Sequence, residues 1–147
     1  VIESKDVATI AGSYHFSVTI PEGWQVEAVP EIEAVNFYDP RIEASSTLEK
    51  SQIFMRYFRA NEFLTLQTVN ILQRTEQVIS GRSAVRYQIE KKPTVSRFPS
   101  QPSWRNVKHI VTDIRLSSTS PSLFYVIAQR PGLDDATYQR FLDTLTQ

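Results

Sequence analysis

Two histidines, sixteen carboxylates and no cysteine are what this 147-residue chain offers for acid–base or metal chemistry. His15 and His109 both fall in alternating, strand-like stretches. A zinc site needs three or four converging ligands, and no third ligand is suitably spaced from either histidine. His15 reads as a solvent-facing strand residue and His109 as a partly buried one; neither is expected to hold a metal. Without cysteine there is no thiolate nucleophile, zinc–thiolate centre or disulfide framework. Glu31, Glu33 and Asp39 come nearest to a carboxylate pair, but no apolar pocket is implied that would raise a pKa. Asp134-Asp135 suits the positive end of a helix better than calcium, because no EF-hand spacing follows. There is no Gly-x-Ser-x-Gly elbow and no Ser-x-x-Lys motif, and four glycines cannot build a phosphate-cradling loop. Pro99-Ser-Gln-Pro102 has PxxP spacing, which any proline-rich loop produces by chance. No catalytic residue, metal or cofactor is expected, and the chain reads as non-enzymatic.

Charge is the feature that rises above background. Lys+Arg 16 against Asp+Glu 16 argues against a general nucleic-acid binder. The balance hides a segregation: residues 1–50 hold nine acidic and three basic residues, and residues 51–147 hold seven acidic and thirteen basic. The excess concentrates in Arg82, Arg86, Lys91, Lys92, Arg97, Arg105, Lys108 and Arg115, against Glu90 and Asp113. Two strands flanking a long loop could set several of these cations on one face. Arg82, Arg86, Lys91, Lys92, Arg97, Arg105 and Lys108 are therefore the candidate partner-binding set, for a protein partner or an anionic surface. The competing reading is that they pair with the acidic N-terminal half in a solvated surface of little energetic weight.

The elements that must position these residues are mostly strands. Tyr14, Phe16, Val18 and Ile20 alternate with polar residues, and Pro21-Glu22-Gly23 turns the chain toward a second alternation at Trp24, Val26 and Ala28. The two are expected to pair antiparallel. A short third strand covers 34–38, a polar loop 41–50, and a strand covered on both faces 53–59. Leu66, Val69 and Leu72 recur at helical spacing, which predicts a short helix there. Ser80-Gly81 marks a turn before the alternating strand at 83–89. Residues 92–103, with Pro93, Pro99 and Pro102, form the long loop. The stretch 105–117 reads as a long strand whose apolar set switches face, through a bulge or cover on both faces. A hairpin turn at 118–121 leads to a strand at 123–129. Tyr138, Phe141, Leu142 and Leu145 then fall on one helical stripe, with carboxylates in the first turn. Folded-surface scaling for 16.9 kDa gives roughly 7,700 Å². That burial is enough for a core without staples. No apolar run is long enough to cross a bilayer.

These elements predict an α+β fold, a mainly antiparallel β-sheet flanked by helices, with the C-terminal helix packed on the sheet. Residues 1–13 read as a tether or edge segment and 14–147 as a single domain. The order resembles the PsbP-like family, which takes in the Mog-type GTPase binders. It is carried by Tyr14-His-Phe16-Ser-Val18-Thr-Ile20-Pro21-Glu-Gly23-Trp24, by Ser80-Gly81-Arg82-Ser83-Ala84 before an alternating strand, and by Phe141-Leu142-Asp-Thr-Leu145 at the close. The resemblance implies an accessory or binding domain, such as a photosystem accessory protein, a GTPase binder or a bacterial lipoprotein, and it transfers no role residue by residue. A monomer is expected. The chain starts at Val1 rather than Met, so a removed upstream segment, a signal or membrane tether, and an extracytoplasmic location are also expected. The alternative is a carrier holding a small apolar or lipid ligand between sheet and helix.

Overall fold

Valine, isoleucine and aromatic residues at period two give the strands that the computed structural model sets side by side; it describes residues 2–7, 16–60, 69–79, 81–96, 102–115 and 122–145. In chain order these are β1 (Ile2–Asp6), β2 (Ser17–Pro21), β3 (Gln25–Val29), β4 (Ala34–Tyr38), β5 (Ser51–Ala60), β6 (Val69–Ile79), β7 (Arg82–Lys91), β8 (His109–Arg115), β9 (Ser122–Gln129) and the helix α1 (Asp135–Thr144). β1 and β2 form an antiparallel ribbon of their own. The other strands make one seven-stranded sheet in the order β3-β4-β5-β9-β8-β7-β6, antiparallel at every pairing.

Alternation along the strands sends side chains to two separate cores. The first holds Val35, Phe37, Ile53, Met55, Ile114, Tyr125 and Ile127 from the sheet, Val18 and Ile20 from the ribbon, and Tyr138, Phe141, Leu142 and Leu145 from the C-terminal segment. The second, on the opposite face, holds Phe54, Tyr87, Ile89, Val111, Val126 and Ala128, closed by Trp104 with Leu48 packed against it. The apolar switch along β8 is thus cover on both faces: Ile110 and Ile114 look toward the helix, Val111 away from it. The folded chain exposes 7456 Å², close to what its mass predicts.

The helix is seated as its stripe predicts. Asp134 caps it, its Oδ2 accepting the Thr137 N–H at 3.2 Å, and Asp135 occupies the first turn. The Phe141 ring meets Phe37 edge-on at 4.8 Å between centroids. The fully buried Tyr138 hydroxyl lies 2.8 Å from both the Thr112 Oγ1 and the Ile127 carbonyl. The carbonyl can only accept, so the phenol donates there and accepts from Thr112. Burial pushes the phenol pKa up.

Four expectations are corrected. β2 does not pair with β3. The Pro21–Trp24 turn, with Gly23 at φ 93° and the Trp24 N–H on the Pro21 carbonyl at 3.3 Å, drops the buried Trp24 into the core and carries the chain from ribbon to sheet. The helix read around Leu66–Leu72 is strand from Val69 onward, residues 61–68 lying outside the described residues. A register shift between Ile71 and Gln73 breaks the period-two signal there. The strand expected from Arg105 begins at His109, and Ser103–Asn106 is a 3-10 turn. Finally, the sheet is not flanked by helices: among the described residues α1 is the one α-helix, and the far face is closed by chain around Leu48 and Trp104. The turn read at 118–121 lies outside the described residues.

Truncating Phe141 to Ala should cost about 3–5 kcal/mol, from lost transfer energy plus the cavity left against Phe37. Chemical denaturation measures it, and a loss under about 1 kcal/mol would mean the helix is not docked through this ring.

Candidate functional site

The helix-side face of β6, β7 and β8 beyond α1 is built of polar side chains. Cross-strand register places Gln73 opposite Gln88, Thr75 opposite Arg86 and Gln77 opposite Ala84. Gln73, Thr75, Gln77, Arg86, Gln88 and Ile110 line a cavity of about 380 Å³ whose far wall is Asp135 of α1. A second cavity, of about 360 Å³, shares Arg86, Gln88, Ile110 and Asp135 and continues past Lys108, His109 and Gln129 to the 130–133 turn. The shared walls make the two one groove beside the start of α1.

Arg86 stands at its centre. Its Nη2 lies 3.6 Å from Asp135 Oδ1, and its guanidinium carbon 5.8 Å from the Tyr138 ring centroid. Gln129 orients the carboxylate, its Nε2 donating to Asp135 Oδ1 at 2.9 Å and to the Leu133 carbonyl at 3.0 Å. The Gln129 and Gln77 Oε1 atoms are buried and accept from no protein group. The groove therefore places glutamine amides beside the cations of Arg86 and Lys108. Such a surface suits hydrogen bonding to a peptide or another polar, partly anionic group.

The structure brings two of the seven candidate cations, Arg86 and Lys108, into this groove. Arg82 lies half-buried at the far end of β7. The Lys91 ammonium donates to the Lys92 and Val95 carbonyls, so it pins the following loop rather than reaching outward. Lys92 is half-buried where that loop starts. Arg105 is corrected: it is 2% exposed, because the 3-10 turn that carries Trp104 into the far core carries Arg105 inside with it. Arg97, like His15, lies outside the described residues. Gln73, Thr75, Gln77, Gln88, Gln129 and Asp135 were not foreseen as site residues. Their signal was the spacing of polar residues at 73, 75 and 77, hidden while that region read as the end of a helix.

The buried His109, Arg105 and Asp113 have shifted pKa values. The Arg105 Nη1 lies 2.6 Å from the His109 Nε2, and the His109 Nδ1 lies 2.8 Å from the Val107 carbonyl. Guanidinium can only donate and carbonyl only accept, so the assigned tautomer carries its proton on Nδ1. Burial, then the adjoining Arg105 charge, lowers the His109 pKa to about 3; burial lowers that of Arg105 to about 9. Rather than partly exposed, His109 is almost wholly buried. On the far face Asp113 accepts the Val85 N–H at 3.0 Å, and burial raises its pKa to about 6. Asp113 lines neither cavity of the groove. Among the described residues no group of three or more potential metal ligands converges.

These shifts predict opposite pH effects. His109 titrates near 3 folded and 6.5 unfolded, so its contribution is whole above pH 6.5 and is lost as pH falls toward 3. Asp113 titrates near 6 folded and 3.8 unfolded, so its buried charge costs stability above pH 6, a cost relieved as pH falls toward 3.8. Thermal melts across this range should show His109→Gln losing less stability on acidification than the parent. Asp113→Asn, which keeps an acceptor for Val85, should gain about 1–2 kcal/mol at pH 7 and little near pH 4. Variant profiles parallel to the parent would refute both assignments.

No protein-family model matches the chain, and no curated protein does. Among solved structures, the cyanobacterial PsbP (CyanoP) from Synechocystis sp. PCC 6803, a solution structure, matches with a TM-score of 0.52 at 8% identity, over 99% of this chain and 91% of its own. A crystal structure from Bacteroides thetaiotaomicron VPI-5482 matches at TM-score 0.34 and 10% identity, over 89% of this chain and 44% of its own, a likeness too distant to define a shared fold. The chain has the PsbP-like fold.

Proposed function

We propose that this domain is a non-enzymatic accessory or binding module of the PsbP-like kind, which engages a protein partner through the groove beside α1. The reading rests on a fold shared with the cyanobacterial PsbP over 99% of the chain. The groove supplies the contact chemistry, with Arg86 and Lys108 as its cations and the glutamine amides as its hydrogen-bonding floor. Arg82 and Lys92, and Arg97 outside the described residues, extend the proposed surface; Arg105 drops out. An apolar-ligand carrier finds less support, since Trp24, Phe37 and Phe141 are buried in one packed cluster. We extend the proposal to an exported or membrane-tethered protein. No described helix is long and apolar enough to cross a membrane.

Contacts of this kind weaken with salt, because the screening length falls from about 10 Å at 0.1 M to about 3 Å at 1 M. Immobilised wild-type domain should retain a specific protein from native extract at low salt. Arg86→Glu/Lys108→Glu should lose at least about tenfold of that retention at low salt. Equal retention by the reversal variant would remove the groove from the proposal. Retention on anionic vesicles with no captured protein would replace the protein partner by a membrane surface.

A further inference from the structure

β6 is an outer strand of the sheet, and among the described residues it pairs with β7 alone. Every side chain from Asn70 to Glu76 is exposed, on both faces of the strand. Three of the five large hydrophobic residues exposed among the described residues lie on it: Ile71, Leu72 and Val78, the last 75% exposed. Protein edges are usually blunted by lysine, proline or shortness. β6 has eleven residues and neither lysine nor proline, and its one irregularity falls between Ile71 and Gln73, leaving a regular run from Gln73 to Ile79.

That run is complementary to itself. In an antiparallel pair about a two-fold axis normal to the sheet at Thr75, Arg74 stands opposite Glu76 of the second copy, and Glu76 opposite its Arg74. Gln73 faces Gln77, and Thr75 faces Thr75. Residues directly opposite in such a pair share a face, as each of these does. Arg74, which also hydrogen-bonds the Tyr87 side chain, and Glu76 already lie together on one face, 3.3 Å apart and exposed, in an ion pair weak enough to be exchanged for two across the axis. Register is set by the same charges. Moving the axis one residue either way would place Arg74 opposite Arg74 or Glu76 opposite Glu76, and like charges directly opposite are destabilising. We propose that β6 is a self-association edge, through which two copies of this chain join antiparallel about Thr75 into one continuous sheet. The paired run, Gln73 to Gln77, spans only about 17 Å, below a standard interface, so the dimer forms as concentration rises. This replaces the monomer expected from the sequence, in which no long exposed strand was foreseen.

Charge reversal in trans tests register and fold together. Sedimentation velocity from about 1 µM to about 1 mM should show the parent moving from monomer to dimer. Arg74→Glu places Glu opposite Glu at both contacts, and Glu76→Arg places Arg opposite Arg. Each alone should weaken dimerisation by about tenfold or more. Mixed one to one, they should dimerise with each other. The introduced glutamate of one chain then meets the introduced arginine of the other, and the native Glu76 of the first meets the native Arg74 of the second. Recovery on mixing also shows that both variants are folded. A parent that stays monomeric to about 1 mM, single variants that dimerise like the parent, or a mixture that does not recover would each overturn the proposal. An independent test uses the absence of native cysteine. Thr75→Cys sits on the axis, where opposed Cα atoms are about 4.5–5.5 Å apart, within disulfide reach. It should oxidise to a covalent dimer, whereas Val78→Cys, about 20 Å from its own copy, should not. Equal cross-linking by both would refute the register.

Discussion

A ten-residue helix cannot cover a seven-stranded sheet, and much of this molecule follows from that mismatch. At about 1.5 Å per residue α1 is about 15 Å long. Seven strands at about 4.8 Å spacing are about 29 Å across. The β1–β2 ribbon covers more of the same face, with Phe16 ahead of β2 against Tyr125, and the Thr19 N–H reaches the Thr144 Oγ1 at 2.9 Å to hold ribbon and helix side by side. What remains is the helix-side face of β6 and β7. Apolar residues there would meet water, so the strands carry Gln73, Thr75, Gln77, Arg86 and Gln88. The groove is the part of the sheet that the described residues leave uncovered.

Where the cover ends is set by the contacts of α1. Phe141 on Phe37 fixes one end over β4, Tyr138 on Thr112 and Ile127 fixes the middle over β8 and β9, and Asp135 near Arg86 puts the start beside β7. Among the described residues the far face is closed without a regular helix. A 3-10 turn carries Trp104 into the second core, its ring 5.6 Å from that of His109. Arg105 goes inside with it, and the neutral imidazole accepts from its guanidinium, so cover of this face couples packing to protonation.

Legibility tracked burial. The α1 stripe was read correctly because Tyr138, Phe141 and Leu142 all face one core. β5 and β9 were read correctly because both faces are buried, which removes polar interruptions. β6 was misread because an outer strand has no core to impose period two on it. The β2–β3 hairpin was misread for a different reason: Pro-x-Gly-Trp encodes a turn, but not whether the strand after it returns to its predecessor or enters another sheet. The site was half legible. Its cations were visible as an excess between positions 82 and 115, whereas its amides were not, because glutamine on an exposed strand reads as solvated surface. Sequence spacing also could not separate Arg105, drawn in beside Trp104, from Arg86 on β7.

The fates of these cations narrow what the groove can do. Lys91 is committed to carbonyls of its own loop and Arg105 to the interior. Arg86 is held differently. Its carboxylate partner is 3.6 Å away and 79% exposed, at the positive end of α1, where Asp135 is favoured with or without Arg86. A pair so long and so wet is worth little, and giving it up costs little. The buried Tyr138 ring and its hydrogen bonds hold the helix in place whether or not the ion pair persists. The guanidinium can therefore leave Asp135 without undocking α1, so Arg86 is the cation of the groove that the proposed partner would engage at least cost in fold stability.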